Sequence, residues 1–70
     1  MVDVSVVVPA YNAEKTIGNT INSLLKQAFK GNYEVIVVDD GSKDRTADVV
    51  AQIVKKNRKV FLIRQPNKGP

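Results

Sequence analysis

Three short runs of apolar, mostly β-branched residues punctuate the chain: VSVVV over Val4–Val8, YEVIVV over Tyr33–Val38 and KVFLI over Lys59–Ile63. Each has the length of a strand and the residue types that strands favour. Between them the apolar residues recur at intervals of three and four, the spacing of an amphipathic helix. Ile17, Ile21, Leu24 or Leu25, and Ala28 form one stripe; Thr46, Val49 or Val50, and Ile53 or Val54 form the second. Asn12 is placed to cap the first helix and Lys30-Gly31-Asn32 to end it. Gly41-Ser42 are placed to start the second, which ends near Asn57. Gly18 inside the first helix costs about 1 kcal/mol relative to alanine.

The order β-α-β-α-β predicts an α/β fold: three parallel strands joined by right-handed crossovers, in sheet order 3-2-1. Both helices then cover the same face. The strands, however, are apolar on both faces. Val4, Val6 and Val8 point one way and Val7 the other, and Val35 and Val37 oppose Ile36 and Val38. Such strands belong to sheets covered on both sides. Residues 1–70 are therefore expected to be the N-terminal portion of a longer domain, or else to form a homo-oligomer through the uncovered sheet face or the free edge of the first strand. The turn-forming tail Gln65-Pro66-Asn67-Lys68-Gly69-Pro70 is read in the same way, as a loop that leads into further chain.

Composition narrows the chemistry. A chain of 70 residues buries only about 60% of its unfolded surface, and neither cysteine nor histidine is present to staple it or to bind zinc. Any metal would be a hard cation on oxygen ligands. Eleven Lys and Arg against seven Asp and Glu give a net charge of +4, yet the basic residues are spread over helix surfaces and the C-terminal end. Tyr11, Phe29, Tyr33 and Phe61 do not interleave with them as a stacking platform would, so no nucleic-acid partner is expected. No apolar run approaches the roughly 20 residues that span a bilayer, and Met1-Val2-Asp3 lacks the layout of a signal peptide. The segment is expected to be soluble and cytoplasmic, with no membrane insertion of its own.

Open parallel sheets bind ligands outside the carboxyl ends of their strands. Here those ends lead into Pro9-Ala10-Tyr11-Asn12, Asp39-Asp40-Gly41-Ser42 and Arg64-Gln65-Pro66-Asn67-Lys68-Gly69, three polar loops on one rim. Asp39 and Asp40 are adjacent, and adjacent residues of a strand point to opposite faces, so a shared metal or proton is disfavoured. A receiver domain would need a phosphoacceptor aspartate after the third strand, where Ile63-Arg64 stand instead. A dinucleotide site would need G-x-G-x-x-G after the first strand, where the chain reads P-A-Y-N-A-E. Ser42 and Asp44 read as turn and helix-start residues, and Asp39 reads as a turn residue or a ligand-site residue. Asp40, facing Tyr11 across the rim, could accept a hydrogen bond from the imide N–H of uracil or from a ribose hydroxyl, with the tyrosine ring offering a face to the base.

The two stretches VSVVVPAYNAE (Val4–Glu14) and VIVVDDGSKDRT (Val35–Thr46), with the later Asn67-Lys68-Gly69, resemble the opening of a glycosyltransferase family 2 domain of GT-A fold. The resemblance covers the whole chain and implies an incomplete, Rossmann-like nucleotide-binding half. By that resemblance Pro9, Ala10 and Tyr11 border the nucleoside, Asp40 bonds to the base, usually uracil, and Asp39 and Glu14 occupy further ligand-site positions. Glu14 reads equally well as a charge that stabilises a helix N-terminus. Arg64 and Lys68 read as solvated surface or as approaching phosphates. The implied parent enzyme transfers a sugar from a UDP-type donor to a hydroxyl on a lipid, glycan or protein, using Mg or Mn. The family's D-x-D metal motif and its catalytic base come later in its sequences, so the resemblance assigns no catalytic or metal-binding residue to these 70 and leaves them inactive alone. It is compatible with a parent attached to the cytoplasmic side of a membrane. The rival class is a non-catalytic, self-associating α/β module or a receiver-like regulatory domain.

Overall fold

The structure is a computed structural model that describes residues 2–27 and 31–66. Its elements are β1 (Val4–Ala10), α1 (Ile17–Leu25), β2 (Tyr33–Asp40), α2 (Thr46–Lys56) and β3 (Val60–Gln65). All strands are parallel, with β2 in the centre, which is the expected order 3-2-1.

The strands run further than their apolar runs. β1 continues through Pro9 to Ala10, β2 takes in both aspartates, and β3 extends through Arg64 to Gln65. Once Val8 pairs with Val37 and Val38 with Ile63, the ladder carries the next residues along whatever their polarity. Pro9 is tolerated because β1 lies at the sheet edge, where a missing backbone donor need not break a ladder.

The helices start later than expected. Asn12 does not cap α1: its φ of 49° is left-handed, and the helix begins at Ile17 after Thr16, with no side-chain capping bond. Likewise Gly41-Ser42 do not start α2, which begins at Thr46 after an N-cap Arg45 that also lacks a side-chain bond. These polar residues are engaged elsewhere. Ala28 and Lys30 lie outside the described residues. Gly31 does turn the chain, at φ 80°, and a Cβ there would collide with the Asp3 carboxylate. That carboxylate accepts the Asn32 amide at 2.8 Å while the Asp3 amide donates to the Asn32 carbonyl at 2.7 Å, tying the start of β1 to the entry of β2.

The register sorts the strand residues into two faces. On one lie the rows Val6–Val35–Val60, Val8–Val37–Leu62 and Ala10–Asp39–Arg64; on the other lie Val7–Ile36–Phe61 and Pro9–Val38–Ile63. The helices pack on the first face, where Val35, Val37 and Val60 meet Ile17 and Ile21 of α1 and Val50 of α2 in one buried cluster. The second face is bare. Val7 is 60% exposed, Phe61 47% and Ile63 50%, and polar pairs close the band at either end: Ser5 Oγ donates to Glu34 Oε2 at 2.6 Å, and Gln65 Nε2 to Asp40 Oδ1 at 3.3 Å.

This asymmetry has a measurable consequence for stability. Ile21→Ala removes a side chain that is wholly buried and is expected to cost about 2–5 kcal/mol, a large part of what a domain this small can hold. Phe61→Ala, whose ring is already half in water, is expected to cost about 1 kcal/mol or less. Urea denaturation of the two variants checks the contrast; equal losses would contradict the one-sided core.

Candidate functional site

Asp39 ends the helix-facing stripe of β2 and is completely buried. A buried carboxylate is costly unless both oxygens are engaged. Here Oδ1 accepts from the amide of Ser42 at 3.1 Å and also from its hydroxyl, and Oδ2 accepts from Arg64 Nε at 3.2 Å. The guanidinium side chain is itself 60% exposed, so this ion pair joins a buried acid to a solvated base. Gly41, at φ 73°, makes the left-handed turn that brings Ser42 back onto Asp39.

From Asp39 the contacts pass to the other loop. The Asn12 amide donates to Ser42 Oγ at 2.8 Å, the Ala13 amide to Thr46 Oγ1 at 2.7 Å, and the Glu14 amide to Asp44 Oδ2 at 3.2 Å. In return the Lys43 amide donates to Asn12 Oδ1 at 2.9 Å. Thr46 is buried, and both its hydroxyl and its amide, the latter at 2.9 Å, donate to Asp44 Oδ1. Partial burial pushes the Asp44 carboxyl up. The hydroxyl and amide of Thr46 and the amide of Glu14 together outweigh that and hold it below the ordinary aspartate value.

On the opposite side of β2, Asp40 is partly exposed, with Gln65 on its Oδ1. Tyr11 follows directly on Ala10, the last paired residue of β1, at the level of Asp40 and Gln65, and is 48% exposed. Of the expected site residues the fold therefore gathers Pro9, Tyr11 and Asp40 at the carboxyl end of the sheet. Ala10 is buried beneath them, Asp39 faces the helices, and Glu14 is exposed ahead of α1 with its amide on Asp44. Gly41, Arg64, Gln65 and Pro66 line an open depression of about 280 Å³ beside Asp40. Lys68 lies outside the described residues. Sequence reasoning missed Thr46 and Gln65, and gave Asn12, Ser42 and Asp44 to helix ends. The available signal was the run of side-chain acceptors at 42, 44 and 46, each two positions from the next.

Among the described residues no group of three or more acids could hold a metal ion. Asp39 and Asp40 stand on opposite faces, one saturated by its neighbours, and do not fit a shared cation. Nor is any described helix long and apolar enough to cross a membrane.

These features define an α/β unit with a polar rim at the carboxyl end of its sheet, and comparison with known proteins makes the family assignment. Residues 5–70 match the profile of Glycosyl transferase family 2, and the chain belongs to that family. It is 44% identical to a dolichyl-phosphate beta-glucosyltransferase of Trichomonas vaginalis, over 91% of this chain and 22% of that protein. It is 46% identical to a Staphylococcus aureus poly(ribitol-phosphate) beta-N-acetylglucosaminyltransferase, TarS, over 100% of this chain and 13% of that one. Among solved structures, a mannosyltransferase of Pyrobaculum calidifontis in complex with GDP-Man and Mn2+ superposes with a TM-score of 0.76 at 26% identity, covering 96% of this chain and 20% of that one. The crystal structure of S. aureus TarS residues 1–349 gives 0.73 at 44% identity, covering 99% and 20%. The fold is that of GT-A glycosyltransferases, and the chain spans about a fifth of each of these two structures.

Because the folded Asp44 carboxyl is held below the unfolded value of about 3.9, its bonds add stability above that pH, and the contribution is lost as the pH falls through the folded value. The amide resonance of Thr46 is expected to titrate with a midpoint below the ordinary aspartate value. A midpoint above the ordinary value, followed by NMR, would contradict the arrangement.

Proposed function

We propose that the chain is the N-terminal, nucleotide-binding portion of a family 2 glycosyltransferase whose donor is a UDP-sugar and whose acceptor is a hydroxyl. The observation that carries this reading is Asp40: a partly exposed carboxylate at the carboxyl end of the central strand, beside the half-exposed Tyr11, in a chain of this family. Asp40 accepts the imide N–H of the base, and the tyrosine ring covers the base face. Pro9 and Ala10 shape the floor of the loop. Asp39 contributes from behind, by holding Ser42 and Arg64, and Arg64 is the cation nearest the donor diphosphate. Glu14 lies at the outer margin. The divalent cation and the general base that sugar transfer requires belong to residues outside this chain, so the 70 residues alone bind donor weakly and transfer nothing.

The GDP-Man bound by the archaeal neighbour makes GDP the informative comparison, since guanine also offers a ring N–H that a carboxylate can accept. Cytosine, whose N3 is itself an acceptor, is disfavoured. UDP titrated into the chain should move the amide signals of Tyr11 and Asp40 more than CDP does. Asp40→Asn, which keeps the shape and removes the charge, should weaken UDP about tenfold, the loss of one charge-assisted hydrogen bond. UDP binding that is unchanged by Asp40→Asn in a calorimetric titration would rule the reading out.

The bare face supports self-association of the isolated chain. The rows Val7–Ile36–Phe61 and Pro9–Val38–Ile63 form a contiguous apolar band, a surface that single soluble domains rarely leave open. Sedimentation should find dimers or larger species at micromolar concentration. A strictly monomeric, folded chain would remove this part of the proposal.

A further inference from the structure

We propose that Ser42, Asp44 and Thr46 are positioning residues for nucleotide binding: together they clamp three consecutive amides of the β1–α1 loop and so hold Tyr11 in register with Asp40. The inference rests on the nucleotide-binding reading above and adds to it a role for side chains that touch no ligand.

Three observations carry it. The amides of Asn12, Ala13 and Glu14 each end on a different side chain of the β2–α2 loop or the first residue of α2: Ser42 Oγ, Thr46 Oγ1 and Asp44 Oδ2. The direction of these bonds is set from behind. Ser42 Oγ spends its proton on Asp39 and Thr46 Oγ1 spends its proton on Asp44, so each hydroxyl presents lone pairs to the amide it receives. Finally, the Ser42 side chain is taken up by Asp39 and the Asn12 amide, while Asp44 takes the first amide of α2, that of Thr46, on Oδ1 and the Glu14 amide on Oδ2, so it serves its own helix and the clamp together. What the clamp holds is an Asn12 in the left-handed region at φ 49°, a conformation that asparagine adopts more readily than most residues but that competes with its other backbone states. Tyr11 is the residue immediately before it. Asn12 completes the clamp by taking the Lys43 amide on its own side chain, so the two loops are bonded in both directions.

A ligand whose base lies between Tyr11 and Asp40 needs both loops at a fixed separation, and a loop free to sample other conformations at Asn12 binds it in a fraction of its population. Loss of the clamp therefore weakens binding without altering any group the nucleotide touches.

The test uses the full 70-residue chain, with UDP as probe and hydrogen exchange as an independent readout. In the unaltered chain the amides of Asn12, Ala13 and Glu14 should exchange slowly although they lie in a loop; rapid exchange at all three overturns the clamp whatever the variants do. Thr46→Val keeps the shape and loses the hydroxyl. It should weaken UDP about five- to tenfold and unprotect the Ala13 amide, with Val35 and Val37 in the core unchanged, whereas Thr46→Ser should restore both. Asp44→Ala, at a partly exposed position, carries the same comparison should Thr46→Val fail to fold. UDP binding that Asp40→Asn weakens but Thr46→Val and Asp44→Ala leave unchanged overturns the positioning role alone. No binding of UDP or GDP to the unaltered chain overturns the nucleotide reading and the positioning role with it.

Discussion

The burial of Asp39 is the constraint from which the rim of this protein is built. A carboxylate at the end of a central strand, shut away beneath two helices, must find donors for both oxygens or forfeit several kcal/mol. It finds them in a loop and a strand: Ser42, swung back by the left-handed Gly41, and Arg64 from the adjacent β3. Satisfying Asp39 orients the Ser42 hydroxyl, that hydroxyl receives the Asn12 amide, and the β1–α1 loop is thereby tied to the β2–α2 loop. Thr46 and Asp44 repeat the device one turn further on, with Asp44 as the acid behind the hydroxyl. In both cases a carboxylate fixes a hydroxyl and the hydroxyl fixes a backbone amide.

The adjacent acid has a different environment because the strand alternates. Asp40 falls on the face that no helix covers, where its carboxylate meets Gln65 and solvent. The pair is thus split by the pleat, which puts neighbouring side chains on opposite sides of the sheet. One carboxylate is consumed in holding the loops, and the other is partly exposed at their mouth. The same alternation exposes Val7, Phe61 and Ile63, so Asp40 stands at the margin of the bare apolar face. Whatever covers that face borders Asp40 as well.

Much of this was legible in the residue pattern. The β-α-β-α-β order, the parallel pairing and the one-sided helix layer follow from apolar periodicity and crossover handedness, and the separation of Asp39 from Asp40 follows from strand geometry alone. Element ends were less legible. Pro9, Asp40 and Gln65 read as loop but pair as strand, because a ladder once nucleated extends through residues that would not have started one. Asn12, Ser42 and Asp44 read as helix caps, because short polar side chains ahead of an apolar stripe normally serve their own helix.

By itself, then, the sequence determined the class of fold, the edge of the sheet at which its polar loops gather, and the separation of the two adjacent acids; these depend on period and order, which are local. The tertiary structure decided the partners of Asn12, Ser42, Asp44 and Thr46. Their hydrogen bonds join residues about 30 positions apart, and their direction depends on which hydroxyl a buried carboxylate has already engaged. No local pattern encodes that choice, because the competing local partner, the end of the residue's own helix, is equally good chemistry until the sheet brings the two loops together.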